Sequence, residues 1–167
     1  LKGDIEIRHL SFHYPHQKEG ALTDISVEIR AGQFLGIVGR TGAGKTTLCH
    51  LLSRLYPVAP GTVFFDGRDV NSLSIQAVRG SIAYVPQQVT LFSDTISYNI
   101  SMGNPLATRD QVEAAARAAA IHDEIMSMKD GYETRIGERG VKLAGGQRQR
   151  LAIARALLAD RPIVIID

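Results

Sequence analysis

Residues 39–47 read GRTGAGKTT, set between an apolar run, FLGIVG (34–39), and a stretch of helical pattern, GKTTLCHLLSRLY (44–56), that stops at Pro57. No other part of the chain restricts the fold as strongly. Glycine at 39 and 44 lets the backbone wrap closely and aim its N–H groups inward at an anion. A helix opening at the end of that loop adds unpaired N–H groups and the positive end of its dipole. Lys45 brings a mobile ammonium for the β- and γ-phosphates, and the Thr46 hydroxyl is a ligand suited to Mg²⁺. The alternative is a glycine turn that merely joins a strand to a helix, but the strand and helix that flank the motif favour a nucleotide site. An Asn-Lys-x-Asp guanine reader, normal for a Ras-like GTPase of this length, is absent.

The elements around the loop suggest an α/β fold. DIEIRHLSFHY alternates Ile5 and Ile7, then Leu10, Phe12 and Tyr14, with more polar neighbours; ISVEIRAGQ does so with Ile25, Val27 and Ile29 before a turn at Ala31-Gly32. TVFFDGRDV places Asp66-Gly67 between short apolar runs, a hairpin signal. These predict an antiparallel layer. FLGIVG and PIVIID (162–167) are nearly continuous apolar runs, the pattern of parallel strands covered on both faces. GQRQRLAIARALLAD (146–160) predicts a second helix ending before Pro162. TRDQVEAAARAAAIHDEIMSM (108–128) predicts an alanine-rich helical stretch opened by Thr108 and Gln111 at capping-box spacing.

Composition excludes other classes. A net charge of +2 spread over dispersed basic residues predicts a solvated mixed surface and no nucleic-acid patch. One cysteine, Cys49, rules out an internal disulfide and reads as a small buried hydrophobe in the first helix. No apolar run reaches the ~18 residues a membrane span needs. The first residue is Leu1, so the chain reads as part of a larger protein.

Downstream, LAGGQRQRLAIARALL (143–158) followed by RPIVIID resembles the signature and Walker B regions of ATP-binding cassette proteins. The match runs in order along the chain: FHYP resembles the aromatic loop, GRTGAGKT Walker A, and VPQ (85–87) the Q-loop. LFSDTISYNI (91–100) and TRIGERG (134–140) are similar to segments of the exporter type. The resemblance implies a P-loop NTPase core with a mostly parallel sheet, an antiparallel β layer and an inserted helical subdomain, incomplete at the C-terminus. It divides the chain into 1–88 (antiparallel layer and Walker A core), 89–145 (helical subdomain) and 146–167 (signature helix and Walker B strand).

The same resemblance assigns roles. Tyr14, otherwise a strand-end aromatic, would stack on adenine. Gly39, Arg40, Thr41, Gly42, Ala43, Gly44, Lys45, Thr46 and Thr47 would cradle the phosphates of ATP, with Lys45 and Gln87 as the catalytic pair. Thr46, Gln87 and Asp167 would hold Mg²⁺. Ala144, Gly145, Gly146 and Gln147 would reach the nucleotide of a second nucleotide-binding domain, identical or different, packed head to tail. Arg148 and Arg155 are expected to be solvated or domain-bridging. The implied partners also include transmembrane domains, which places the parent at the cytoplasmic face of a membrane and leaves this piece soluble.

Two departures qualify that picture. Alanine stands at 144 where the family has serine, which implies a weakened contact in trans and raises a second reading, a degenerate regulatory domain that occludes ATP beside a catalytic partner. The family's general-base glutamate follows the Walker B aspartate, and no residue follows Asp167 here. The expectation is a chain that binds ATP·Mg²⁺ without appreciable hydrolysis, with lowered stability or aggregation from an uncovered sheet. A DNA-repair ATPase of the same superfamily would need a long coiled-coil insertion, and no sustained heptads occur.

Overall fold

The apolar alternation at the start of the chain changes phase between Ile7 and Leu10, and the backbone shows why. In a computed structural model describing residues 1–167, β1 (Ile5–Phe12) pairs antiparallel with β2 (Leu22–Ile29). Ile7 faces Val27 and Leu10 faces Ile25, so β1 carries one extra residue; Phe12 then faces Leu22, so β2 carries the next. His9 and Asp24 take up the irregularity at φ 47° and 48°. Such paired bulges leave amides off the ladder, and serines accept them: His9 N–H donates to Ser26 Oγ and Asp24 N–H to Ser11 Oγ, both at 2.9 Å. Ile5, Ile7 and Leu10 are all buried as a result.

β3 (Val63–Phe65) and β4 (Arg68–Asp69) complete an antiparallel sheet of order β2-β1-β3-β4. Asp66 and Gly67 join them with φ 50° and 74°, the doubly positive turn that the Asp-Gly pair predicts. The Asp66 carboxylate also accepts the N–H groups of Lys2, Gly3 and Asp4 at 2.6–3.1 Å, fastening the start of the chain.

The chain divides into two compact units, residues 1–82 with Asp167, and residues 83–166. In the first, α1 (Lys45–Leu52) ends four residues short of the predicted Tyr56. The Ser53 hydroxyl donates to the Cys49 carbonyl at 2.6 Å and Arg54 turns to φ 54°. That turn carries the Arg54 guanidinium to the carbonyls of Val70 and Leu73, at 3.1 and 2.9 Å, which a continued helix would not reach. A 3-10 turn at 70–72 and α2 (Ile75–Gly80) follow.

The expectation of a covered strand at FLGIVG is not met. Residues 34–39 pair with no strand, and Phe34 and Val38 are each 95% exposed. A strand needs a ladder partner as well as apolar side chains. Residues 34–39 make no ladder with the four strands of the first unit, so their apolar side chains alone do not form a strand.

In the second unit β5 (Ile82–Val85, its first residue belonging to the first unit) neighbours β6 (Ile163–Ile166) in a two-stranded sheet. β6 buries Ile163 and Ile165 and exposes Val164 and Ile166, so one face is covered where two were expected. Ala152 and Ala156 of α6 (Gly145–Ala159) pack with Ala83 and Val85 of β5. The predicted 108–128 stretch is two helices, α4 (Arg109–Ala118) and α5 (His122–Ser127), preceded by α3 (Ile96–Ser101). Thr108 and Gln111 form the predicted reciprocal cap, at 3.3 and 2.8 Å. The break comes at Ala120, φ 56°, which turns Ile121 into the core with Ile96, Ile100, Val112, Ile125 and Leu151.

The segments 91–100 and 134–140 are stitched together: Ile96 N–H donates to Thr134 O and Ile136 N–H to Asp94 O, at 3.0 and 2.9 Å.

Candidate nucleotide site

The loop before α1 is shaped by Gly44, whose φ is 91°. A Cβ there would stand 2.4 Å from the Ala21 carbonyl oxygen and 2.7 Å from Leu22 Cδ2, so only glycine fits against the start of β2. Ala43 N–H closes a turn onto the Arg40 carbonyl at 3.0 Å. Lys45 folds its ammonium over the loop, donating to the carbonyls of Gly39 and Arg40 at 2.8 and 3.0 Å. Its charge therefore sits at the mouth of the loop, where a phosphate group would compete for it.

The Thr46 hydroxyl, in the first turn of α1, donates to Asp167 Oδ1 at 2.9 Å. The hydroxyl and carboxylate are hard oxygen donors side by side, a set suited to Mg²⁺, which takes one or two protein ligands beside phosphate oxygens and water. Nearby, burial and then the negative charge of Asp167 push the Cys49 thiol up to about 11. This cysteine is a packing residue, as its place in a helix predicts.

Thr47 is buried and hydrogen bonded to the Tyr14 hydroxyl at 2.9 Å. Tyr14 stands near-perpendicular to Phe12 and Tyr56, with ring centroids 5.1 and 5.2 Å away. The ring is held by these two contacts and by its hydroxyl. Tyr56 was missed in the sequence, where it reads only as the residue before a helix-ending proline.

Gln87 and the signature residues belong to the second unit. Gln87 is exposed in the loop after β5. Ala144 is the N-cap of α6, extended at φ −67°, ψ 160°, and its methyl caps nothing. Gln147 supplies the other half of a capping box, its Oε1 accepting Ala144 N–H at 2.9 Å. Its amide nitrogen donates to Glu124 Oε2 at 3.0 Å. Arg150 donates to the second oxygen of Glu124 and, at 2.8 Å, to the Ala120 carbonyl. Hydrogen bonds from Arg150 first, then Gln147, hold the Glu124 carboxyl below its ordinary value. No sequence signal pointed to Glu124, because its partners lie 23 and 26 residues away.

Gly145 and Gly146 are exposed at the helix start. Of the two arginines expected to be solvated or domain-bridging, Arg148 is exposed and Arg155 is half-buried. It donates to the Asn99 and Thr90 carbonyls at 2.8 and 3.3 Å, and burial lowers its affinity for its proton.

The sequence profile described as "ABC transporter" matches residues 22–167. The chain is 47% identical over 167 residues to "Beta-(1-->2)glucan export ATP-binding/permease protein NdvA" of Brucella suis biovar 1 (strain 1330), covering 100% of this chain and 28% of that protein. It is 47% identical to the "ATP-dependent lipid A-core flippase" of Yersinia pestis bv. Antiqua (strain Antiqua), covering 99% and 29%. Among solved structures, "Structure of a bacterial Atm1-family ABC exporter with ATP bound" superposes with a TM-score of 0.90 at 41% identity, covering 99% of this chain and 29% of that one. The fold is thus of the P-loop NTPase type, and the chain spans under a third of the length of these relatives.

Proposed function

Because the chain belongs to the ABC transporter family, we propose that it binds ATP·Mg²⁺ and serves as the nucleotide-driven module of an exporter at the cytoplasmic face of a membrane. The observation that carries this is the meeting of Lys45, Thr46 and Asp167 at one loop. No helix of the chain is long and apolar enough to cross a membrane; in this reading the module drives transmembrane domains that form the transport path.

In this reading residues 39–47 wrap the phosphates of ATP with backbone N–H groups, and Lys45 transfers its ammonium from the Gly39 and Arg40 carbonyls to phosphate oxygens. Tyr14, fixed by Phe12, Tyr56 and Thr47, offers its ring to adenine. Thr46, Asp167 and Gln87 would hold Mg²⁺, which would supply positive charge against the phosphates. Gln87 orients the attacking water. Ala144, Gly145, Gly146 and Gln147 meet the nucleotide of a second nucleotide-binding domain, with the two glycines baring backbone N–H groups at a helix N-terminus. The Asp167 carboxylate is engaged with the Thr46 hydroxyl. With that carboxylate given to the metal and not to water, this stretch would bind ATP·Mg²⁺ with negligible turnover.

The bare methyl of Ala144 favours a second reading, a regulatory domain that occludes ATP and leaves catalysis to its partner.

Titration with a fluorescent ATP analogue, alongside a phosphate-release assay, tests the proposal. The wild-type chain should bind in Mg²⁺, Lys45→Ala should bind at least about tenfold more weakly, and neither should release phosphate. Equal binding by Lys45→Ala would remove the basis of the reading.

A further inference from the structure

The first turn of α6 carries two adjacent glycines and an alanine cap, the combination with the least intrinsic reason to hold one conformation. Even so, it is restrained from the side. Gln147 closes onto the Ala144 N–H, and its amide can point only one way because Glu124 takes the nitrogen end. Arg150 reaches past the same turn, with Nε 3.3 Å from the Gly146 carbonyl, and ends on Glu124 and the Ala120 carbonyl. One carboxylate on α5 thus receives the two side chains that bracket Gly145 and Gly146. Arg150 also offsets its charge, which would otherwise oppose an anion at this helix end.

We infer that Glu124 is a positioning residue: it holds the Gly145–Gly146 turn ready for a nucleotide bound by the second domain. It touches no nucleotide itself. The inference rests on the functional reading above, in which that turn meets a phosphate in trans. A residue acting this way affects retention of nucleotide in the closed pair and leaves first binding to residues 39–47 unaltered. A residue that only stabilised the fold would affect both, together with the melting temperature.

The test uses the complete polypeptide that carries these residues, as wild type, Glu124→Ala and Glu124→Gln. Fluorescent ATP in Mg²⁺ gives the affinity for first binding, and a chase with unlabelled ATP gives the release rate after closure. Glu124→Ala should release nucleotide about tenfold faster, the size of one charge-assisted hydrogen bond, with first-binding affinity within about twofold of wild type. Glu124→Gln has the same shape but offers a neutral acceptor to only one of the two donors, so its release rate should fall between. Release unchanged in both variants overturns the inference, as does an equal loss of first binding and melting temperature. If the wild-type protein does not bind the analogue, the functional reading falls, and the inference with it; if it binds and both variants match it, only the inference falls.

Discussion

The hydroxyl of Thr46 donates to the carboxylate of Asp167 at 2.9 Å across 121 residues of sequence. Replacing the carboxylate by an amide keeps an oxygen for that hydroxyl and removes the charge that a divalent cation requires. Asp167→Asn should therefore weaken ATP binding in Mg²⁺ by about tenfold to a hundredfold, and leave binding in EDTA unchanged. Equal losses under both conditions would show that Asp167 supports the loop and has no part in holding metal.

Gly44 is the position of the loop least tolerant of a side chain. Gly44→Ala places a methyl 2.4 Å from the Ala21 carbonyl at φ 91°. The backbone strain alone costs about 1–3 kcal/mol, and relief of the clash must move either β2 or the loop. Thermal melting should show a clear loss of stability, and nucleotide titration a loss of binding. A variant with wild-type melting and binding would contradict the geometry.

Ala144→Ser has two separable consequences. The new hydroxyl can accept the Gln147 N–H and complete the cap that Gln147 already half makes. That should stabilise the nucleotide-free protein by about 1 kcal/mol, visible in urea unfolding. If the hydroxyl also reaches a partner's nucleotide, ATP-dependent association of the complete protein tightens by more than the stability gain explains. Association unchanged with stability raised would assign the introduced hydroxyl a capping role alone.

Cys49 sets a pH dependence. Its thiol is raised to about 11, mainly by burial and further by the charge of Asp167. In the unfolded chain a thiol ionises near ~8.5. The neutral form is thus favoured by the fold, and the associated stability is fully present below about pH 8.5 and lost as pH rises toward 11. Stability measured across that window should fall less steeply in Cys49→Ala than in wild type, and native Cys49 should resist alkylation at pH 8. Rapid alkylation of the folded chain would refute this.

Features set by neighbours in sequence were legible. Asp66-Gly67 dictated a turn from two φ angles, Thr108 and Gln111 capped α4, and the phase change between Ile7 and Leu10 was already visible as a change of parity. Features set by distant partners were hidden. Phe34 to Val38 carry every local mark of a strand, but a ladder needs a second segment. α1 stopped early because Arg54 had carbonyls to reach, and the helical stretch broke at Ala120. At the site, the loop glycines and Lys45 announced themselves by spacing, and Asp167 by resemblance. Glu124 and Tyr56 matter through what they touch, which no local pattern encodes.

The double irregularity of β1 and β2 has a consequence for life in a crowded solution. β2 is the outer strand of its sheet, the place where a foreign strand could add itself. At Asp24 the backbone turns to the left-handed region, and the exposed His9–Asp24 pair stands where a straight edge would otherwise run. A would-be template needs several flat residues in a row, and this one is interrupted after Thr23. Straightening it, by removing one residue from each strand so that the ladder still matches, would leave the core intact and create a surface prone to self-association.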